Sequence, residues 1–276
     1  MPPGLTPRLP DLLQTEPALS LLRLAALAAG PDGMLDDETL ELMFEQVETR
    51  TLAGMNPREA WPEIARGLMA RTPSNMLRVL YACGALAEVL PEVAGVFGVP
   101  QIADDPPQVD IGQHLLRVLD EAARCNAPLP VRFAALVMHV GKSDSPPEHL
   151  PVHYRHVERG RPRIEAMCER FGVPAECREL ALLALAECER VHRVSEVRAG
   201  PVAKILERIG AFDQPERYQQ LMTLCACDYR AYGTRAGQPY PKAALLQTAL
   251  AACAGLAKDE RAAAISAVFG SERWNT

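Results

Sequence analysis

The chain has no run of about eighteen uninterrupted apolar residues, so no segment is expected to span a membrane. Its opening, with Pro2, Pro3, Pro7 and Pro10, is too proline-rich and too weakly apolar for a secretion signal, and a cytoplasmic location is expected. It contains no Cys-x-x-Cys. The eight cysteines, Cys83, Cys125, Cys168, Cys177, Cys188, Cys225, Cys227 and Cys253, are scattered among apolar helical neighbours, which excludes a disulfide framework and predicts free, buried thiols. Runs with strand-like alternation are missing, as are internal repeats and low-complexity tracts. Bulk positive charge is missing too. A net charge of -6 argues against a protein that grips nucleic acid by overall charge and leaves only a local basic face for that purpose.

What remains is a chain of 276 residues, 48% hydrophobic and 23% charged, long enough for one large or two modest domains. Its periodicity is helical almost throughout. Leu35, Leu40, Met43, Phe44 and Val47 recur at steps of three and four behind a capping Asp36 or Asp37. Asn56-Pro57-Arg58-Glu59 reads as a helix start with Asn as cap, Pro at the first position and Glu completing a capping box. Thr72 to Ser74 starts another helix, which Gly84 ends. Pro100 to Pro107 reads as a linker. Beyond it, Ile111, His114, Leu115, Val118, Leu119 and Ala122 make one stripe, and a helix follows over 131–140. A proline-broken loop covers 143–160. Helices are then expected over 161–171, 174–192, 201–210, 215–231 and 241–257, with frayed last residues. The fold class is all-α, divided near 100–110.

All six histidines lie between His114 and His192. Such crowding points to a metal or phosphate site, and solvated loop histidines are the plain alternative. Asp110, one turn before His114, is placed to orient its imidazole. His153 and His156 stand three residues apart. Cys188 and His192 stand four apart, with Cys225 and Cys227 downstream, although the spacing fits no compact zinc motif.

In order along the chain, Asp110-Ile-Gly-Gln-His114, the run from Val131 to Gly141-Lys142, Pro146-Pro147-Glu148, His153-x-x-His156 and Glu158-Arg159-Gly160 resemble the HD phosphohydrolase domain of bacterial CCA-adding tRNA nucleotidyltransferases. Asn56 to Trp61, Cys83 to Leu86, Leu90 to Val93 and Phe97 to Pro100 resemble the neck and body of those enzymes, and Glu187 to Arg193 and Asp228-Tyr229-Arg230 continue the match. The resemblance covers residues 15–255. It implies a remnant neck helix and disordered start over 1–30, a helical body over 31–105, a degenerate HD-like domain over 106–235, and a C-terminal helix and tail over 236–276.

The departures from the family pattern bear on function. The family carries Leu-x-His-Asp-x-Gly-Lys where this chain has Met138 and His139 in place of the His-Asp pair. A slip of one residue does not restore it, because that rotates a helical side chain by about 100°. The outer positions, His114 and Asp228, match the family's ligands, and His153 and His156 match its auxiliary histidines. No Asp-x-Asp and no glycine-rich nucleotide loop occur, and the chain is expected to begin after the family's transferase head. Around Thr15 to Leu19 the family's Glu-Asp-x-x-Arg lacks its Glu and Arg, so a Leu and Ala face packed on the body is expected there instead.

The resemblance therefore implies a degenerate, non-catalytic relative of the CCA-adding enzymes that retains contacts with tRNA or another RNA, with a protein partner, or with a second copy of itself. Basic contacts to RNA are assigned to Arg155, Arg159, Arg161 and Arg163, with Arg58, Arg66, Arg71 and Arg78 on the body. Two alternatives stay open. One is a phosphatase or 2′,3′-cyclic phosphodiesterase with a divalent metal (Zn, Ni, Mn or Mg) on His114, His139 and Asp228, assisted by His153 and His156. The other is a structural helical module.

Overall fold

A computed structural model describes residues 17–31, 33, 35–104 and 106–270; the expected disordered start lies outside them. Within that range the chain forms fourteen helices and one two-stranded ribbon. The first part comprises α1 (Pro17–Ala28), α2 (Asp37–Glu48), α3 (Pro57–Met69), α4 (Pro73–Ala82), and the short α5 (Ala85–Val89) and α6 (Pro91–Ala94). The ribbon is β1 (Pro100–Ile102) with β2 (Gln108–Asp110). Then follow α7 (Ile111–Arg124), α8 (Leu129–Val137), α9 (His156–Phe171), α10 (Ala175–His192), α11 (Ala199–Arg208), α12 (Pro215–Arg230), α13 (Pro241–Ala252) and α14 (Arg261–Phe269). No described helix is long and apolar enough to cross a membrane.

Local chemistry explains several of the helix starts. Asp36 accepts a hydrogen bond from the Thr39 amide at 2.7 Å, and Asn56 accepts one from the Arg58 amide at 3.1 Å. The expected capping box is altered: Glu59 accepts from the Asn56 side-chain amide at 2.9 Å. Thr72 makes no side-chain cap. Asp120, from the middle of α7, accepts from the Ser74 amide at 3.2 Å and ties α4 to α7. Leu21, Leu22, Leu24, Ala25 and Ala28 of α1 are buried, as the Leu and Ala face requires, and Arg23 pairs with the buried Glu63 at 3.2 Å.

Several expectations are corrected. The segment expected to be a linker is the antiparallel ribbon, with Pro100 opposite Asp110 and Ile102 opposite Gln108. The helix expected from 161 begins at His156 and carries Pro162 inside it as its seventh residue, where the missing amide leaves the Glu158 carbonyl without its usual intrahelical donor. A helix, α14, packs on α11 and α13 where a frayed end was expected. Cys125 is exposed, although the other seven cysteines are buried.

One apolar core runs through both halves, because α4 packs on α7. Arg132 of α8 is buried and donates to three carbonyls, Ala127 O at 2.8 Å, Leu68 O at 2.9 Å and Ala70 O at 2.8 Å, which joins α8 to the end of α3. Around the histidines, α12 lies against α7, α8 and α10. The turn 140–142 meets the start of α9 so closely that a Cβ on Gly141 would come within 1.9 Å of the His156 carbonyl oxygen.

Candidate functional site

Four helices bring the site together. His114 projects from α7, His139 follows the end of α8, His192 closes α10, and Asp228 stands near the end of α12. All four side chains meet at the Asp228 carboxylate. His114 Nε2 donates to Asp228 Oδ1 at 2.8 Å, and His192 Nε2 donates to Oδ2 at 2.9 Å. His139 Nε2 lies 3.7 Å from Oδ1, beyond hydrogen-bond reach, and is buried without a partner. The His114 ring is stacked at a tilt on Tyr232, with centroids 4.3 Å apart, and its Nδ1 also has no partner.

Asp110 does not orient His114. It caps α7, accepting from the Gln113 amide at 2.7 Å, and Asp228 takes the orienting role.

The electrostatics follow from this burial. Burial alone raises the Asp228 carboxyl, but the hydrogen bonds from His114 and His192 hold it well below the usual carboxylate range. Burial, and then the nearby Lys142 ammonium, push His139 down to about 4. For His192, burial opposes the charge, yet the Asp228 carboxylate that accepts its Nε2–H raises it above the ordinary imidazole range. His192 is thus the charged imidazole beside Asp228, and His139 is neutral at physiological pH.

A cavity of about 850 Å³ opens beside this centre. Lys142, buried, reaches Glu189 at 2.8 Å and also donates to Gln101, whose amide donates to the Tyr232 hydroxyl at 2.9 Å. Burial raises the Glu189 carboxyl, but Lys142 outweighs it and brings it down to about 2. Arg155, Arg193 and Lys242 line the rim with the exposed Tyr154.

The auxiliary histidines line this cavity and stand apart from the carboxylate. His153 has both nitrogens engaged: Nε2 donates to the Pro100 carbonyl at 2.9 Å, so Nδ1 accepts from the Ser145 hydroxyl at 2.7 Å. His156 donates from Nδ1 to the His153 carbonyl at 2.9 Å, and its Nε2 faces Glu189 at 3.7 Å.

Of the arginines assigned to RNA, two hold the turn that carries the site. Arg159 donates to the Gly141 carbonyl at 3.0 Å, and Arg163 to the Val140 carbonyl at 3.0 Å. Arg161 pairs with Glu165 at 3.7 Å, and Arg155 reaches the cavity.

One ligand atom from each of His114, His139 and Asp228 lies within 4.8 Å of the others. Two imidazoles and one carboxylate suit Zn²⁺ or Ni²⁺, and the unpartnered His139 Nε2 supplies an available lone pair. The same set suits Mg²⁺ poorly, because Mg²⁺ prefers oxygen ligands and Met138 puts a thioether on the cavity wall. His192, Glu189 and Lys142 are the site residues that the spacing did not assign. The four-residue step from Cys188 to His192 was the one sequence signal for this part of the site.

No family model matches the chain. It is 42% identical over 258 residues to the multifunctional CCA protein of Burkholderia multivorans, an overlap of 93% of this chain and 62% of that protein. The corresponding protein of Polaromonas naphthalenivorans is 42% identical over 254 residues, covering 92% of this chain and 60% of the relative. That of Acidovorax sp. is 43% identical over 238 residues, covering 86% and 56%. The chain thus spans about three-fifths of the length of the curated relatives it matches.

Proposed function

From its place as counterpart to the C-terminal part of the multifunctional CCA protein family, we propose that this chain is a catalytically lapsed HD-like member that binds a phosphate-bearing RNA end without hydrolysing it. The observation that carries this reading is the replacement of a His-Asp pair by Met138 and His139, which leaves Asp228 as the one carboxylate among three imidazoles. Hydrolysis of a phosphate ester by a hard dication calls for oxygen ligands and an ion that polarises the phosphoryl group. Here the remaining carboxylate is already neutralised by the His192 imidazolium. The cavity keeps features that suit a nucleotide, with cationic Arg155, Arg193 and Lys242 for phosphate and exposed Tyr154 for stacking on a base.

Two assays on the purified chain test this. With tRNA, binding followed by fluorescence anisotropy is expected to weaken as salt rises and to weaken further in Arg155→Ala. With phosphomonoesters and 2′,3′-cyclic nucleotides, no hydrolysis is expected with Mg²⁺ or Mn²⁺. Hydrolysis that disappears in Asp228→Ala would overturn the lapsed reading.

The unpartnered His139 Nε2 favours one second reading, an active centre rebuilt for Zn²⁺ or Ni²⁺ on His114, His139 and Asp228. Near-stoichiometric metal that is lost in His114→Ala, together with hydrolysis in that metal, would support it over the first.

A further inference from the structure

On the side of Asp228 away from His139, a second group of ligand atoms converges. Cys188 and His192 are four residues apart on α10, so both side chains lie on one face. Cys225 and Asp228 are three apart on α12 and face them. Cys188 Sγ is 3.5 Å from Cys225 Sγ and 3.5 Å from His192 Nε2, and His192 Nε2 is 2.9 Å from Asp228 Oδ2. The ligand atoms of Cys188, His192 and Cys225 all lie within 4.8 Å of one another, and the two separations that involve the Cys188 sulfur resemble edges of a coordination tetrahedron. Metal–sulfur bonds of about 2.3 Å and metal–nitrogen bonds of about 2.0 Å place two sulfurs about 3.8 Å apart and a sulfur about 3.5 Å from a nitrogen.

We propose that Cys188, His192 and Cys225 form a site for a thiophilic divalent cation of the Zn²⁺ kind, with solvent or the Asp228 carboxylate in the fourth position, pinning α10 to α12. Both cysteines are buried, Cys225 completely, so the thiols are shielded from competing partners. The Tyr240 hydroxyl lies 2.8 Å from His192 Nδ1 and, as acceptor of the Nδ1 proton, directs the Nε2 lone pair toward the cation, the usual outer support of a ligating histidine. Binding replaces the two S–H bonds by two metal–sulfur bonds and releases both protons to solvent. The proton that joins His192 Nε2 to Asp228 Oδ2 in the metal-free protein leaves as well. Asp228 Oδ1 keeps its hydrogen bond from His114, so the carboxylate joins this site to the neighbouring histidines. The inference does not depend on whether the HD-like centre is lapsed or rebuilt.

The test uses the full chain, reduced, stripped of metal with a chelator and titrated with Co²⁺ as a spectroscopic probe. One Co²⁺ per chain is expected to give a near-ultraviolet thiolate-to-metal charge-transfer band with the visible bands of a tetrahedral ion, and Zn²⁺ should bleach both. Cys225→Ser should weaken the charge-transfer band, Cys188→Ser/Cys225→Ser should abolish it, and His114→Ala should leave it in place. Co²⁺ bound without that band, with binding lost in His114→Ala, would overturn the proposal and place the metal on His114 and His139. No Co²⁺ binding at all would overturn it as well. If the double variant does not fold, the wild-type spectrum decides alone, because absence of the band at one equivalent contradicts the site.

Discussion

His139 and His192 touch the same carboxylate region yet titrate in opposite directions, and this gives the metal-free protein a pH signature. His139 sits at about 4 in the fold against an ordinary 6.5, so below pH 6.5 the unfolded chain takes up a proton that the folded one refuses. Stability is therefore lost as pH falls from about 6.5 to 4, by about 3 kcal/mol from this residue. His192, raised by the Asp228 carboxylate, stabilises fully below its ordinary 6.5 and loses that contribution as pH rises through its higher value in the fold. Denaturant midpoints measured across pH 4 to 10 should peak near neutrality, and His139→Asn should flatten the acid side. Cys125 gives a second expectation. A hydrogen bond with the Cys227 thiol, 3.7 Å away, brings its pKa down to about 6, and it is the exposed cysteine among eight. Brief treatment with iodoacetamide at pH 7 should label Cys125 before any other cysteine, as read by peptide mass mapping.

How far single residues were legible depended on whether their partners were local. His114, His139 and Asp228 could be named because each occupies a recognisable position in a motif, and the fold does bring them together. The role of His153 as a fixed loop residue was not legible, since Ser145 and the Pro100 carbonyl reach it only after the ribbon folds over the turn. His192 reaches Asp228 only because α10 packs on α12, a contact that no spacing along the chain records.

Among the elements, the helices were legible from their three-to-four spacing and, at Asp36 and Asn56, from a capping residue. The ribbon was not, because strands of three residues are too short to display alternation. The turn 140–142 matters more than its length suggests, since it sets Lys142 and the end of α8 against α9. Gly141 faces backbone on α9: an added Cβ would lie 1.9 Å from the His156 carbonyl oxygen and 2.7 Å from the Gly160 nitrogen. Neither atom can yield as a flexible side chain would, so Gly141→Ala should destabilise the protein by roughly 2 kcal/mol or more. The loss should appear as a lower urea midpoint with an unchanged slope.

For the molecule as a whole, the all-α class followed from the missing strand pattern, and the continuous core follows from α4 meeting α7 across the segment that composition marked as a boundary. The acidic net charge also proved compatible with basic groups at the cavity rim: of the four arginines assigned to RNA near this loop, Arg159, Arg161 and Arg163 are engaged within the fold, and Arg155 lines the cavity with Arg193 and Lys242. In this view the scaffold of the site is intact and its chemistry has changed at Met138 and His139. The most direct measurement is hydrolysis of 2′,3′-cyclic nucleotides in Ni²⁺ or Mn²⁺ by Met138→His/His139→Asp beside the unaltered chain. An inactive parent and an active double variant, silenced again by Asp228→Ala, are expected; an active parent whose rate is unaffected by the two substitutions would contradict the claim that these positions silenced the centre.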